Sequence, residues 1–342
     1  MSAALSRRSL VRRLAGVAAW SALGCAAVAA ESPLVALVHT QAAGDSGVVD
    51  GMIAGLKRIG HERNLTVRAI YAGDPANYQP ILELLGEAGA AIVITTFNEM
   101  TEPLKAVAPA FPKTRFVQLY GDPVVPVIRN LRTVSYETYL ACYLAGVCGG
   151  KMSQVNRLGY IGGVSVPTLN ACVNALSAGA RSVHSALDVS IAFVGSFQDP
   201  AKALQIADQM FGGGIDYIQS ESAGSDLGII QAANDRPGRI VSGGSRPQFA
   251  LGPASVAAVV LCDFGLSLYQ QTGAALSADW TCGHYRSGLQ DGVVDFVTST
   301  LFVAHGPPAA VARFRAAWPQ IAAAKSRIVA GTLRVPLKTA LG

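Results

Sequence analysis

The residues able to do chemistry in this chain gather in a few short clusters rich in small residues. They are Gly44-Asp-Ser-Gly47, Thr95-Thr-Phe-Asn-Glu99, Gly195-Ser-Phe-Gln-Asp199, Glu221-Ser-Ala-Gly-Ser-Asp226 and Gly243-Gly-Ser-Arg-Pro-Gln248. The first spells the four letters around the nucleophile of chymotrypsin-like proteases, but those enzymes are all-β. Here the tetrapeptide follows a β-branched run and precedes Val48-Val49, so it reads as a turn or binding loop. Of the five histidines, only His39 and His284 fall where loops could converge, and neither has a sequence-local acid partner. Asp45, Asp199 and Asp226 are spread over separate loops, so no paired carboxylates offer acid/base work. No nucleophile elbow, zinc-helix motif, dinucleotide fingerprint or phosphate loop is present, and the cysteines lack metal-ligand spacing. These observations point away from an enzyme, a nucleoside hydrolase included, and from any cofactor or resident metal. What the clusters offer is binding chemistry: the aromatics Phe97 and Phe197, the amide of Asn98, and flexible hydroxyl-bearing loops, the usual stock of a small-molecule pocket.

The elements that must carry these clusters are legible as an alternation. Short apolar runs at 34–39, 67–71, 91–95 and 115–120 are interleaved with helix-length amphipathic segments near 48–63, 77–88 and 101–110. A second series follows, with strands at 157–161, 189–194, 215–219 and 239–241 and helices near 136–152, 168–184, 200–212 and 226–234. Such alternation predicts βαβ units with parallel sheets. Two sets in series, with no long linker between them, predict two similar lobes joined at a hinge. In open α/β sheets ligands sit beyond the carboxyl ends of the strands, and there the clusters fall.

Charge and targeting narrow the class further. Ser6-Arg-Arg-Ser-Leu-Val-Arg-Arg13 precedes an alanine-rich apolar run, and Ala27-Val-Ala29 offers a small-x-small cleavage pattern, so residues 1–29 read as a cleaved export leader of twin-arginine type. The run is short for a membrane anchor, and Cys25 as a lipidated residue fits less well. Removing 1–29 takes four arginines and no acid, leaving 23 Lys+Arg against 22 Asp+Glu and a net charge of +1. No basic footprint for nucleic acid survives. Five cysteines remain, with Cys262 and Cys282 the pair open to a disulfide and free thiols the expectation for the rest.

Several segments in order resemble the basic membrane protein family of ABC-transporter substrate-binding proteins. They are Leu34-Val-Ala-Leu-Val38, 103–112, Tyr143-Leu-Ala-Gly-Val147, Leu158-Gly-Tyr-Ile-Gly-Gly163, Val194-Gly-Ser-Phe-Gln-Asp-Pro-Ala-Lys202, Leu227-Gly-Ile-Ile-Gln-Ala-Ala233 and Gly288-Leu-Gln-Asp-Gly-Val293. The resemblance spans about residues 33–337. It implies a type I periplasmic-binding-protein fold, two Rossmann-like lobes with three hinge crossings, and a ligand held between them. It also implies a periplasmic location, an ABC permease in the inner membrane as partner, and a protein acting as a monomer. One lobe would comprise 33–135 and 247–285, the other 136–246 and 286–325, with a tail at 326–342.

The best-understood relatives are purine nucleoside receptors that hold the base by aromatic stacking. That role maps onto Phe197, and Asp45, Phe97 and Asn98 border the same cleft. Two departures alter the expected ligand. The family's first-loop aromatic falls at Val48, and the loop where nucleoside receptors carry a ribose-binding aspartate reads Ser242-Gly-Gly-Ser-Arg-Pro-Gln248. Arg246 in that loop and Arg286, near His284, instead suit a base, oxidised purine or other ligand with planar acceptors. The other function open to this fold is the ligand-sensing component of a signalling system.

Overall fold

The computed structural model describes residues 32–44 and 48–341, so both the leader and Asp45 lie outside the described part. In chain order the elements are β1 (Leu34–His39), α1 (Val48–Arg63), β2 (Thr66–Tyr71), α2 (Tyr78–Glu87), β3 (Ile92–Thr96), α3 (Thr101–Val107), β4 (Arg115–Leu119) and β5 (Leu131–Tyr136). They continue as α4 (Thr138–Met152), β6 (Arg157–Gly162), α5 (Pro167–Val183), β7 (Asp188–Phe193), α6 (Pro200–Gly212), β8 (Tyr217–Glu221), α7 (Asp226–Asn234), β9 (Ile240–Gly243) and α8 (Gln248–Leu251). The last are β10 (Val256–Cys262), α9 (Phe264–Leu276), β11 (Gly283–Ser287), β12 (Val294–Thr298), α10 (Thr300–His305) and α11 (Pro308–Val329).

Two six-stranded sheets result, in the orders β11-β5-β4-β3-β1-β2 and β12-β10-β9-β8-β6-β7. β12 runs antiparallel to β10 at the edge of the second sheet, while neighbours such as β1 and β3 or β6 and β8 are parallel. Central strands are buried on both faces, which is why β1 and β3 read as continuous apolar runs with little alternation. The α/β two-lobed architecture expected from the alternation is therefore the observed one.

The lobe boundary expected at 247 does not match the strand order. β10 pairs with β9 through Val256↔Val241 and with β12, so this buried apolar strand belongs to the second sheet. Only after Asp263 does the chain enter the first lobe, where α9 lies so close to α1 that a Cβ on Gly55 would stand 2.2 Å from the Gly265 carbonyl oxygen. The reason is burial: Val256–Leu261 needs cover on both faces, which a central position beside β9 supplies.

Three crossings join the lobes: β5 to α4, β10 to α9, and β11 to β12. They are laced together by Glu137 N–H donating to Ser287 O at 2.8 Å and Asp263 N–H donating to Val293 O at 2.7 Å. Asp291 organises the third crossing. Its carboxylate accepts from Ser287 Oγ at 2.7 Å, Tyr285 Oη at 3.2 Å and the N–H groups of Val293 and Gly288 at 3.1 and 3.2 Å.

In the second lobe α4 is buried almost all round. It meets α5 at bare backbone: a Cβ on Gly146 would sit 2.0 Å from Leu176 O, and one on Gly179 would sit 2.0 Å from Tyr143 O. Beyond α11 the tail returns over α5, where Asn170 Nδ2 donates to Thr339 O and Asn174 Nδ2 to the carbonyls of Lys338 and Ala340. Cys142, Cys148, Cys172, Cys262 and Cys282 are all free thiols, so Cys262 and Cys282 are not bridged, and Cys282 is exposed. Among the described residues no helix is long and apolar enough to cross a membrane.

Candidate functional site

The first lobe builds an aromatic wall at the carboxyl ends of its central strands. Phe97 leaves β3 with φ 59° and ψ 166°, and Tyr120 leaves β4 with φ 61°. The first conformation lies in a region essentially reserved for glycine, where a side chain costs about 1–3 kcal/mol. The surroundings over-determine it: Phe97 N–H donates to Leu119 O at 2.8 Å, and Phe97 O accepts from Gln118 Nε2 at 2.6 Å. The two rings stand 5.5 Å apart, and Tyr120 continues to Phe264 at 5.5 Å and Tyr136 at 5.1 Å. Phe264 is fixed as the first residue of α9, whose cap Asp263 accepts from Leu266 N–H at 2.8 Å. Tyr136 Oη hydrogen-bonds Ser267 Oγ at 2.9 Å.

This wall faces the second lobe. Burial pushes the Tyr120 phenol well above its ordinary range, and the next influences are Cys262, Cys172 and Glu221, all from the other side. Tyr120 nonetheless keeps 37% of its surface open. Opposite stand the loops of β6, β7 and β8. Phe197 is 38% exposed and lies over Gly163, where an added Cβ would come within 2.2 Å of the ring. Its loop is pinned by Ser225 N–H donating to Phe197 O at 3.2 Å and by Asp199 N–H donating to Ser225 Oγ at 2.8 Å. Asp199 in turn caps α6 by accepting from Lys202 N–H at 3.0 Å. The aromatic is thus presented by a turn that these hydrogen bonds and the Pro200 start of α6 hold in place.

Other expected contacts are placed differently. Asn98 is exposed but its amide is committed: Nδ2 donates to Asp122 Oδ2 at 2.8 Å and Oδ1 accepts from Asp122 N–H at 3.0 Å. Arg246 is exposed in the loop after β9, and Arg286 is exposed on β11, so the two arginines stand on different sheets. His284 bridges Thr133 Oγ1 at 2.8 Å and Ser135 Oγ at 2.9 Å. Burial and then Arg286 lower its pKa. The loop lacking the ribose aspartate is closed upon itself. Gln248 accepts from Gly244 N–H at 2.8 Å and donates to Asp226 Oδ2 at 2.9 Å. Asp226 also accepts from Ser220 Oγ and from Ser222 N–H and Oγ, so it builds the loop.

Sequence reasoning missed Tyr120, Tyr136 and Phe264, each at a strand end or crossing outside the loops singled out. It also missed a polar cluster in the second lobe, where Cys142 Sγ donates to Glu221 Oε1 at 2.8 Å beside Cys172. Burial pushes Glu221 up to about 7, against the opposing pull of the two thiols.

Comparison with known proteins gives a consistent picture. Residues 33–306 match the family model described as ABC transporter substrate-binding protein PnrA-like. The basic membrane protein A2 of Borrelia garinii subsp. bavariensis is 24% identical over 271 residues, 78% of this chain and 80% of that protein. A purine-binding protein of Brucella abortus is 26% identical over 225 residues, 66% of this chain and 63% of that protein. A solute-binding protein of an ABC transporter system from Aeropyrum pernix K1 superposes with TM-score 0.71 at 16% identity, covering 89% of this chain and 94% of that one.

Proposed function

The chain belongs to the PnrA-like family of ABC transporter substrate-binding proteins, and from that premise we propose that its ligand is a purine base or a closely related planar heterocycle held between the lobes. A substrate-binding protein of this class works outside the cytoplasm, binds a small molecule without transforming it, and hands it to a membrane permease. The observation that carries the purine reading is the pairing of rings: exposed Tyr120 beside half-buried Phe97 on one lobe and exposed Phe197 on the other. Flat π-faces on both sides of a cleft suit a flat ligand, each stacking contact adding about 0.5–1.5 kcal/mol beyond area burial.

Tyr120 takes the place of the stacking partner that Val48 cannot supply. A free base is favoured over a nucleoside because the loop after β9 carries no carboxylate for ribose hydroxyls, and its Gln248 is committed to Gly244 and Asp226. Asp45, Arg246 and Arg286 are the remaining candidates for the ligand's polar edge, with arginine suited to oxidised purines. Export through the twin-arginine leader at 1–29, delivery to the permease and action as a monomer complete the reading. Closure around the ligand supplies the signal, since only a ligand binding the closed form more tightly can shift the hinge equilibrium.

The test is mass spectrometry of the molecule that co-purifies, followed by calorimetry over bases, nucleosides and oxidised purines. A planar base should bind roughly tenfold or more tightly than its riboside, a difference of about 1.4 kcal/mol. A preference for a non-aromatic solute would sink the reading.

A further inference from the structure

Beneath the cleft, the second lobe holds two thiols and a carboxyl that solute binding does not explain. Cys142 lies in the second turn of α4, Cys172 in the second turn of α5, and Glu221 ends β8. One ligand atom from each lies within 4.8 Å of the others. The helices can bring the thiols this close because Gly146 and Gly179 let their backbones touch. A fourth group belongs to the cluster. Tyr160 pairs with Gln219 in the β6–β8 register two residues before Gly162 pairs with Glu221, so Tyr160 and Glu221 share one face of the sheet. Tyr160 has no exposed surface, its hydroxyl has no hydrogen-bond partner, and the nearest ionisable influences on it are Glu221, Cys172 and Cys142. A buried phenol without a partner destabilises the fold unless something in the cluster answers it.

We propose that Cys142, Cys172 and Glu221 bind one thiophilic divalent cation of the zinc or cadmium class, with Tyr160 as the neighbouring hydroxyl that completes the site. Metal–sulfur bonds of ~2.3 Å and metal–oxygen bonds of ~2.0–2.2 Å put tetrahedral ligand atoms under ~4 Å apart, so the cluster, whose ligand atoms lie within 4.8 Å of one another, must draw in by up to about 1 Å to hold an ion. Two thiolates select a soft or borderline ion over calcium or magnesium. Binding exchanges protons for the ion: the Cys142 proton now on the Glu221 contact, the Cys172 proton and any proton on Glu221 leave to solvent, and the Glu221 oxygen and both sulfurs turn to the metal. Burial holds both thiols above their ordinary range, to about 11 for Cys172 where the Cys142 contact pulls the other way. Because these ligands must lose protons to take up the ion, affinity falls as pH drops.

The proposal can fail independently of the purine reading, because its test uses a metal ion and no organic ligand; the cluster stands on the second lobe, across from the aromatic wall. The test uses the full processed chain, freed of metal by chelator and reduced, titrated with cadmium alone and then zinc. One equivalent should bind, with an ultraviolet cadmium–thiolate charge-transfer band. Cys142→Ser and Cys172→Ser should each abolish the band, and Glu221→Gln should weaken binding at least tenfold. Cys282→Ser, removing the exposed thiol, should leave it intact. The proposal is overturned if the reduced wild-type chain binds no stoichiometric ion, if the band survives both cysteine substitutions, or if the isolated protein carries a Cys142–Cys172 disulfide. The wild-type titration decides the matter even where a variant fails to fold.

Discussion

Phe97 combines a strained backbone with a half-buried ring, and substitution can separate the two. Phe97→Gly relieves the backbone while Phe97→Ala keeps it strained, and both remove the ring. The glycine variant should be the more stable of the pair by about 1 kcal/mol, measured by urea unfolding, while both bind ligand more weakly. Equal stability would mean the surroundings relax around residue 97. Phe197 has no such strain and a large exposed face, so Phe197→Ala should weaken ligand binding roughly five- to thirtyfold, about 1–2 kcal/mol, and leave the melting temperature nearly unchanged. A sharp fall in melting temperature with affinity preserved would make Phe197 a core residue. Glu221 gives a pH signature. Its folded pKa of about 7 exceeds the ordinary 4.5 because of burial, so the metal-free folded state holds the extra proton. Its contribution is then fully present below pH 4.5 and lost as pH rises through about 7. Glu221→Gln should flatten the stability profile across that window; an unchanged profile would place the titrating group elsewhere.

At the scale of elements, the contact of α4 with α5 is the least forgiving. Gly146→Ala or Gly179→Ala would drive a methyl against a backbone carbonyl at 2.0 Å, a clash no rotamer relieves. Each should destabilise by roughly 2–4 kcal/mol in chemical unfolding and spread the Cys142–Cys172 spacing, whereas a cost below about 1 kcal/mol would show the helices free to separate. This is also where the sequence is most and least informative. The amphipathic helices announce themselves: the segment expected near 48–63 is α1 to the residue, closed by a basic last turn. β5, β10, β11 and β12 are not legible as strands: all four flank a crossing between the lobes, and β11 and β12 take their partners, β5 and β10, from further back in the chain. The clusters at 95–99 and 195–199 were legible because a strand-to-loop change marks them. Tyr120 was absorbed into the strand it ends, and no local pattern joins Cys142, Cys172 and Glu221, which meet only when α4 packs on α5 and β8.

For the molecule as a whole, motion reduces to three short crossings and the carboxylate that ties them. Asp291 holds four donors of the third crossing, and its backbone carbonyl accepts from Gln270 Nε2 of α9 at 2.9 Å. Asp291→Ala leaves those donors unanswered, so small-angle scattering should show a wider spread of lobe separations without ligand and a reduced shift on adding it. A scattering curve identical to that of the parent would make this crossing a passive connection.

The positions of Cys282 and the chain end have a practical consequence. Among the described residues, the exposed thiol precedes β11 on the first lobe, while the asparagine pair on α5 clasps residues 338–340 to the second. A fluorophore on Cys282 and another carried by the 338–340 segment would thus ride on opposite jaws. Energy transfer between them would report each capture and release in real time, with no engineered cysteine.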